Sequence, residues 1–342
     1  MRAHQWVRQV WSGGGGISGS VARAVLLPGE WLFRAALRVR ALRYRAGTAS
    51  VARASIPVIS VGNLSVGGTG KTPVASWVIR VLRDRGARPA LVARGYGEDE
   101  LLLHGRWTPG IPVVADPDRA AGVEQAAGNG ASVAVLDDGF QHRRLAREVD
   151  LVLVAAEEGV PGRLLPRGPF REPLEALGRA HGVLVTRKSA SLEAAREVAG
   201  RIRAHVPGAV VGVAHLRPAG LRPLGVVRDP GESELIEGPV VVATGVARPE
   251  SVAAGVRALG LEVAALKAFP DHHDFREAEV TSVVQEAAGR PVVVTEKDAV
   301  KWELLEATRG APVQVLYQEL TWEEGEAAME ELLMGALAGR ME

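Results

Sequence analysis

The chain contains no cysteine among its 342 residues, which excludes disulfide bonds, thiolate metal ligands and a cysteine nucleophile. Aromatic residues are also scarce, at 4%. No apolar run reaches the roughly 18 uncharged residues that a membrane-spanning helix needs. Early apolar runs are interrupted by Arg23 and Pro28-Gly29-Glu30, so no secretory signal is evident. What is present, 47% hydrophobic residues and 40 glycines, is typical of a globular α/β protein and fits a reducing cytosol.

Charge is unevenly distributed along the chain, although the net charge is only +1. Residues 1–53 carry nine arginines, no lysine and a single acidic residue, Glu30, so this segment has a net charge of +8 and the remainder −7. A basic segment of this kind suits an anionic membrane surface, nucleic acid or a phosphorylated substrate. The sequence therefore predicts a distinct binding role for residues 1–53.

Residues 26–45 are predicted to form a basic helix that also carries tryptophan. A helical wheel places three arginines on one side and four apolar residues on another: Arg34, Arg38 and Arg45, and Leu32, Ala35, Val39 and Leu42. Arg40 and Arg43 interrupt this pattern. A helix lying on a membrane surface and a helix packed on its own domain both remain open.

From Ile56 onward, short aliphatic runs alternate with helical stretches, which predicts βαβ units and a mainly parallel sheet. Predicted strands cover residues 56–62, 88–95, 111–116, 131–138, 149–156, 182–186, 239–245, 262–269, 291–298 and 313–320. Predicted helices cover residues 71–86, 118–127, 191–206, 249–259, 276–288 and the end of the chain. Residues 216–238 are the predicted boundary or hinge, and a chain of this length is expected to form two domains.

The run ISVGNLSVGGTGKTPV, residues 59–74, lies between a predicted strand and a predicted helix. It ends in Gly70-Lys71-Thr72 as a phosphate-binding P-loop does, but has Ser65 where the pattern G-x-x-x-x-G-K-[ST] has its first glycine. In such a loop backbone N–H groups bind phosphate oxygens, the lysine reaches the terminal phosphates and the threonine hydroxyl binds magnesium. A glycine-rich turn without a ligand is the alternative. The candidate phosphate-binding residues are Ser65, Val66, Gly67, Gly68, Thr69, Gly70, Lys71 and Thr72.

Two adjacent aspartates, Asp137 and Asp138, end the predicted strand 131–138. Ligands of open α/β sheets bind at the carboxyl ends of the strands. Adjacent carboxylates stay ionised in a cleft when a cation is close, and a P-loop needs a carboxylate opposite its magnesium. Taken alone the pair fits an acidic turn equally well, but beside a P-loop it indicates the metal side of a nucleotide site.

The run FPDHHDF, residues 269–275, places two histidines between two aspartates. A carboxylate beside an imidazole favours acid–base chemistry or metal binding, whereas a loop or helix-capping role fits the run better when it is taken alone. No HExxH motif or further ligand cluster points to zinc. The run TEKD, residues 295–298, has its lysine one place later than the guanine-reading NKxD motif, which argues against a GTPase.

These motifs resemble, in their order, the tetraacyldisaccharide 4′-kinase family over essentially the whole chain. Ser65 is similar to the family's Ser or Thr at the position of the first Walker glycine. The runs that carry the resemblance are LLPGEWLFRAALRVRALRYR (26–45), VGNLSVGGTGKTPV (61–74), ARGYG (93–97), LDDGFQHRRL (136–145), GRLLPRGPFREP (162–173), ATGVARPESV (243–252), FPDHHDF (269–275) and VVVTEKDAVK (292–301).

The resemblance implies transfer of the γ-phosphate of ATP, with Mg²⁺, to the 4′-hydroxyl of a tetraacyldisaccharide 1-phosphate, a lipid A precursor. It places the reaction at the cytoplasmic face of the inner membrane, with the protein peripheral or N-terminally anchored. The implied partners are this lipid substrate and the membrane surface, with no nucleic acid and no obligatory protein partner.

The implied fold is α/β, with a P-loop-containing parallel sheet domain flanked by helices, a second smaller α/β domain and an N-terminal basic helix. The predicted boundaries are 1–53 for the basic amphipathic membrane-associating segment, 54–215 for the P-loop kinase core and 216–342 for the smaller domain beyond a hinge.

The resemblance also assigns roles to residues. The implied catalytic residues are Asp99, His272, Lys71 and Asp138, of which Asp99 is the general base and His272 its partner. The implied metal ligands are Thr72, Asp137, Asp138 and Glu172. The family's Gly-Asp-Glu-Pro motif stands here as Glu98-Asp99-Glu100-Leu101, and the loop between Tyr96 and Asp99 is shorter than is usual in the family.

A membrane-associated P-loop switch ATPase is the alternative, since it would share the P-loop, the acidic strand end and the basic segment. The FPDHHDF and Arg-Gly-Tyr runs favour the kinase, because a switch needs neither. A nucleic-acid-binding ATPase is disfavoured, since the chain beyond residue 53 is acidic and has no aromatic-rich basic face.

Overall fold

The computed structural model describes residues 2–11, 13–95, 98–226, 236, 238–246, 248–271 and 273–338. The helices are α1 (Arg2–Trp11), α2 (Gly16–Val25), α3 (Leu27–Arg45), α4 (Lys71–Asp84), α5 (Glu98–Trp107), α6 (Arg119–Gly128), α7 (Leu192–His205), α8 (Pro249–Ala258), α9 (Glu277–Ala287), α10 (Glu296–Trp302) and α11 (Glu326–Ala338). The strands are β1 (Val58–Asn63), β2 (Pro89–Ala93), β3 (Val113–Ala115), β4 (Val133–Asp137), β5 (Val149–Ala155), β6 (Gly182–Arg187), β7 (Val210–Pro223), β8 (Val240–Thr244), β9 (Val263–Ala268), β10 (Val292–Thr295) and β11 (Val313–Glu324). Two 3-10 helices cover Leu174–Arg179 and Glu306–Thr308. Within the described ranges, no helix combines the length and the apolar character that crossing a membrane requires.

The chain forms two compact units, of which the first comprises residues 1–95, 110–215 and 321–342. Its sheet has the strand order β3-β2-β4-β1-β5-β6-β7. All of these neighbouring strands pair in parallel. β1 is central and all six of its residues are buried, as expected for a parallel strand covered on both faces. Its carboxyl end carries the glycine-rich run.

Helix α4 follows directly from that run and packs on β1, β2 and β4. Its apolar face is buried through Val74, Val78 and Leu82. Pro73 is accommodated because the first turn of a helix needs no intrahelical N–H donor there. Burial of this apolar face holds α4 against the sheet, and the helix begins at Lys71, at the carboxyl edge of the sheet.

The basic N-terminal helix predicted over residues 26–45 is present as α3, and it packs on the first unit. Phe33 and Leu37 pack against a core cluster that includes Leu64, Phe140 and Leu164. Helical periodicity places Arg40 and Tyr44 on the same face as these two apolar residues. Arg40 donates to the carbonyl of Gln141, and the Tyr44 ring stacks under Arg143 at 4.2 Å. Arg40, which interrupts the helical wheel, therefore belongs to the packed face.

The second unit comprises residues 96–109 and 216–320. Its strands have the order β11-β10-β8-β9, and the neighbouring strands pair in parallel. Two apolar clusters cover the sheet; one contains Phe275, Val294 and Trp302, and the other Leu221 and Val256. The α/β class predicted from the sequence, with a large, mainly parallel sheet flanked by helices, is thus confirmed.

The structure differs from the predicted elements in several places, and α1, α2 and residues 210–215 of β7 had no predicted element. Residues 216–223, for which no strand was predicted, form the second half of β7, where Leu216 and Leu221 are buried. Residues 296–298 begin helix α10 instead of ending a strand, since the hydroxyl of Thr295 caps the N–H of Asp298. Residues 98–107 form the helix α5, for which no element was predicted. Residues 321–342 fall in the first unit, where α11 packs on α4, β1 and β5.

Candidate active site

The glycine-rich run forms a loop between the end of β1 at Asn63 and the start of α4 at Lys71. Gly70 has φ 89°, a left-handed conformation that glycine adopts without the steric cost of a Cβ. The loop therefore delivers the chain directly into the N-terminus of α4, where backbone N–H groups and the helix dipole favour an anion.

Side chains from the loop's surroundings fix its backbone. Asn63 Nδ2 donates to Thr69 Oγ1 at 2.9 Å, and Thr186 Oγ1 donates to the carbonyl of Thr69 at 2.9 Å. Lys188 Nζ donates to the carbonyl of Gly68 at 3.1 Å. Thr186 and Lys188 come from the carboxyl end of β6, two strands from β1. A loop held in this way is ordered in advance for a ligand, which reduces the entropy cost of binding.

Ser65, the departure from the Walker pattern, is buried and pairs in an antiparallel bridge with Phe170. The adjacent N–H of Val66 donates to the carbonyl of Pro169 at 2.8 Å. Non-glycine residues with positive φ, within the described part of the chain, are Asp138 and Ala288. Ser65 therefore adopts a backbone conformation that does not require glycine. Serine at this position of the Walker pattern does not disturb the loop.

Asp137 and Asp138 lie at the carboxyl end of β4, next to β1. Asp137 is in register with Val61, and Asp138 turns the chain with φ 54°. The turn lies tightly against β1, because a Cβ at Gly62 would come 2.6 Å from the Cβ of Phe140. The two predicted carboxylates and the predicted P-loop thus occupy the same edge of the same sheet.

The carboxylate of Asp138 is surrounded by positively charged side chains. Arg171 donates to both carboxylate oxygens, at 3.0 and 2.9 Å, and Lys71 Nζ lies 3.7 Å from Oδ1. Burial alone would raise the pKa of Asp138, but the hydrogen bonds from Arg171 and the charge of Lys71 outweigh it and lower the pKa. The carboxylate is therefore ionised at neutral pH and electrostatically linked to the P-loop lysine.

Glu172 is buried and accepts two hydrogen bonds from Arg179 Nη2, at 3.2 and 3.0 Å. The Arg179 guanidinium lies 4.3 Å over the Phe140 ring. In the described residues, no group of three or more His, Asp and Glu side chains is placed to hold a metal ion. The four predicted metal ligands therefore do not form a metal cage made of protein side chains alone.

The second unit carries the remaining predicted residues. Asp99 lies in the first turn of α5, but its side chain, like the whole of Tyr96, Gly97 and His272, is outside the described residues. Around His272, Lys301 Nζ donates to the carbonyl of His273 and to Asp274 Oδ1, both at 3.0 Å.

Gly245 lies against the described part of the FPDHHDF run, and the buried carboxylate of Asp298 holds Gly245 in place. Asp298 accepts hydrogen bonds from the Thr244 hydroxyl at 2.7 Å and the Gly245 N–H at 3.1 Å. A Cβ at Gly245 would come 3.1 Å from the carbonyl oxygen of Pro270. TEKDAVK, ATG and FPDHHDF, which the sequence presents as separate motifs, thus form one packed assembly within the second unit.

Four residues of the site were not singled out by the sequence reasoning: Asn63, Arg171, Thr186 and Lys188. Arg171 lies inside the quoted run GPFREP and directly precedes Glu172, an implied metal ligand. This position could have identified Arg171 as a residue of the site. Thr186 lies at the carboxyl end of the buried strand β6 and Lys188 directly follows it, where ligand-binding residues of parallel sheets concentrate. Their contact with the P-loop depends on strand order, which local sequence does not give.

The fold and this site define a P-loop nucleotide-binding protein. A model of the family described as tetraacyldisaccharide-1-P 4′-kinase matches residues 22–100 and 97–338. The chain belongs to this family, as its motifs predict.

Individual relatives agree with the family match. The chain is 40% identical over 331 residues to a tetraacyldisaccharide 4′-kinase of Anaeromyxobacter dehalogenans, covering 87% of this chain and 86% of that protein. It is 39% identical over 306 residues to the protein of that name from Syntrophotalea carbinolica, covering 81% and 83%. A crystal structure of LpxK from Aquifex aeolicus in complex with ATP matches with a TM-score of 0.73 and 26% identity, covering 92% of this chain and 99% of that one.

Proposed function

We propose that this kinase transfers the γ-phosphate of ATP to the 4′-hydroxyl of a tetraacyldisaccharide 1-phosphate and so produces a 4′-phosphorylated lipid A precursor. The observation that carries the proposal is the placement of Lys71 and Asp138 at adjacent carboxyl strand ends, 3.7 Å apart, in a chain of the 4′-kinase family. Phosphoryl transfer depends mainly on positioning and on neutralising charge, and this site provides both.

The P-loop residues are proposed to bind the phosphates of ATP. Lys71 supplies a positive charge toward the terminal phosphates, and the N-terminus of α4 supplies N–H donors. Gly67 and Gly68 allow the backbone to approach closely. Asp138 keeps Lys71 oriented, since their charges attract and Asp138 is itself held by Arg171.

The oxygen donors at this edge fit a magnesium ion, because a hydroxyl and a carboxylate are its usual protein ligands and phosphates and water supply the rest. Thr72 in the first turn of α4 and Asp137 at the end of β4 would hold it. The other two proposed ligands, Asp138 and Glu172, are paired with Arg171 and Arg179. Bound Mg²⁺ supplies neutralisation of the phosphate charge.

Asp99 is proposed to accept the proton of the sugar hydroxyl, with His272 as the partner that raises its effectiveness as a base. General base catalysis of this kind contributes roughly 10²- to 10⁴-fold. The assignment is supported by the family resemblance of Asp99-Glu100 and of Asp271-His272-His273.

The membrane surface is proposed to bind α3 by the face opposite its packed side, at the cytoplasmic side of the inner membrane. An exposed apolar stripe runs along that face: Trp31, Leu32, Ala35, Val39 and Leu42. Arg34, Arg38 and Arg45 flank it, as expected for a helix in contact with anionic lipid.

The proposed reaction is tested with labelled ATP, magnesium and tetraacyldisaccharide 1-phosphate in detergent. We expect a bisphosphorylated lipid from the native protein and none above background from Lys71→Ala. Lys267→Ala, which removes a lysine paired with Glu286 in the second unit, is the matched control and should retain activity. Native-level activity in folded Lys71→Ala would contradict the proposal. ATP hydrolysis and nucleotide-dependent dimerisation with no phosphorylated lipid would support a switch ATPase instead.

A further inference from the structure

Glu30 is the single acidic residue among the first 53 residues, and it is buried in the first unit at 4% exposure. Nothing in the reaction described above uses it. A buried carboxylate is retained only where hydrogen bonds and opposite charges compensate the loss of hydration. Its contacts therefore indicate what the residue does.

Those contacts lead to the loop 163–172. Glu30 Oε1 accepts a hydrogen bond from the N–H of Leu164 at 3.0 Å, and Oε2 accepts one from Arg167 Nη1 at 3.1 Å. Arg34 lies 3.5 Å from Oε1 on the same helix. Burial alone would raise the pKa of Glu30, but the Leu164 N–H and Arg167 outweigh it and lower the pKa. The carboxylate is thus ionised where it meets this loop.

Other residues of the N-terminal segment contact the same loop. Trp11 Nε1 donates to the carbonyl of Pro166 at 2.9 Å. A Cβ at Gly29 would lie 3.2 Å from Pro166 Cγ. The loop is itself tightly folded, since the N–H of Gly168 donates to the carbonyl of Leu164 at 2.8 Å and Leu165 N–H donates to Phe170 at 2.9 Å. A displacement at Leu164 is therefore transmitted along the loop instead of being absorbed by it.

The far end of the loop lies against the phosphate-binding loop. Pro169 accepts from the Val66 N–H at 2.8 Å, and the Arg171 N–H donates to the carbonyl of Leu64 at 2.6 Å. The Arg171 side chain holds Asp138. One continuous set of hydrogen bonds thus joins Glu30 to the P-loop and to its carboxylate.

We propose that Glu30 is a positioning residue of the nucleotide site, which holds the loop 163–172 so that this loop fixes the P-loop and presents Arg171 to Asp138. The N-terminal segment then has a role in the reaction besides contact with lipid. The inference deepens the proposed function, but it concerns ATP binding and is tested without the lipid substrate.

The test compares Glu30→Gln with the native full-length protein in two measurements, ATP affinity by calorimetry and hydrogen exchange at individual amides. Glutamine keeps the size and one acceptor but loses the charge that pairs with Arg167. We expect the Val66 amide to exchange roughly tenfold faster, because its hydrogen bond to Pro169 should break more often when Glu30 no longer holds the loop 163–172. Core amides of β5 should keep their exchange rates. ATP affinity should fall roughly three- to tenfold.

Three further variants make the result decisive. Arg167→Gln should reproduce both effects, and the double variant should be no worse than either single one, because both remove the same pair. Glu286→Gln, at an exposed ion pair of the second unit, should change neither measurement. A folded Glu30→Gln protein with native ATP affinity and native Val66 exchange would overturn the proposal, as would a uniform acceleration of exchange across the core. Absence of lipid phosphorylation by the native protein, with both effects of the variants still observed, would count against the proposed function alone.

Discussion

Arg171 donates to both carboxylate oxygens of Asp138, at 3.0 and 2.9 Å, and so holds this side chain 3.7 Å from the P-loop lysine, Lys71. Arg171 comes from the loop after β5, whereas Asp138 follows β4. The site therefore depends on a contact between two connecting segments that are both anchored at the carboxyl edge of the sheet. Such paired groups should behave as one unit when either is replaced.

Replacing Asp138 by Asn should lower kcat by roughly 10²-fold, because the variant keeps the shape but removes the charge that orients Lys71 and Arg171. Arg171→Met should have a comparable effect, and the double variant should fall short of the product of the two losses. Steady-state kinetics with ATP and the detergent-solubilised lipid measures this. Asp84→Asn, at an exposed ion pair with Arg83, is the control. Independent, multiplicative losses would show that the pair does not act together.

The side chains that follow β6 should contribute to ATP affinity. Lys188→Met removes the bond to the carbonyl of Gly68, and Thr186→Val removes the bond to the carbonyl of Thr69. Each change should weaken ATP binding roughly two- to tenfold, since a hydrogen bond contributes about 1 kcal/mol net. Calorimetric titration with ATP measures the effect, and Lys267→Met is the matched control. Unchanged affinity in both variants would show that the loop keeps its shape without them.

Much of the nucleotide site follows from local sequence. Alternating aliphatic runs predicted β1 and β4, and Gly70-Lys71-Thr72 predicted the loop between β1 and α4, because these signals lie within a few residues of each other. The bond of Thr186 to Thr69 was not predictable in the same way, since it depends on β6 lying two strands from β1. Non-local pairing is decided by the packing of the whole sheet.

The misassigned elements have local physical reasons. Residues 296–298 were assigned to a strand, but the hydroxyl of Thr295 caps α10, which begins at Glu296 and ends the strand at Thr295. The Pro- and Gly-rich run after residue 215 was given no strand, yet residues 216–223 belong to β7, where Leu216 and Leu221 are buried. Arg40 interrupts the amphipathic pattern of the sequence because it donates to the carbonyl of Gln141 on the packed face of α3.

Stability should decrease below about pH 6.5 partly through His142. Burial lowers the pKa of His142 first of all, and the nearby Arg119 lowers it further. Because the folded protein binds this proton less readily than the unfolded chain, folding loses free energy as the pH falls through the ordinary histidine pKa of 6.5. His142→Gln should therefore lose less stability between about pH 8 and about pH 5.5 than the native protein does.

Urea unfolding at both pH values measures this difference. His205→Gln, at the exposed end of α7, is the control for replacing a histidine by glutamine. An identical pH dependence in His142→Gln and the native protein would show that other groups cause the acid sensitivity.

The close approach of the Asp138 turn to β1 should make Gly62 intolerant of a side chain. A Cβ there would come 2.6 Å from Phe140 Cβ and 2.8 Å from its backbone N, and neither atom can move without shifting the turn. Gly62→Ala should destabilise the protein by roughly 1–3 kcal/mol and reduce ATP affinity. Gly200→Ala in α7, where a Cβ meets nothing within 4 Å, should be neutral or stabilising. Chemical denaturation compares the two variants, and equal stability would refute the steric argument.

Membrane association through α3 is best tested at its exposed stripe. Deleting residues 1–53 would also remove Phe33, Leu37 and Glu30, which pack on the first unit, so a loss of function would have two explanations. The triple variant Leu32→Ser, Val39→Ser and Leu42→Ser leaves that packing in place and removes apolar surface that the membrane would bury. We expect its affinity for vesicles containing anionic lipid to fall about tenfold or more, with ATP affinity unchanged.

Leu304→Ser is the control for the triple variant, since Leu304 is 75% exposed in the second unit, close to the 74% of Leu32. Co-sedimentation with vesicles of neutral lipid, and of neutral lipid mixed with anionic lipid, separates apolar insertion from charge attraction. Raising the salt concentration should weaken the residual vesicle binding of the triple variant, because without the apolar stripe this binding depends on the charges of the flanking arginines. Native vesicle binding by the triple variant would show that α3 does not contact the membrane through this stripe.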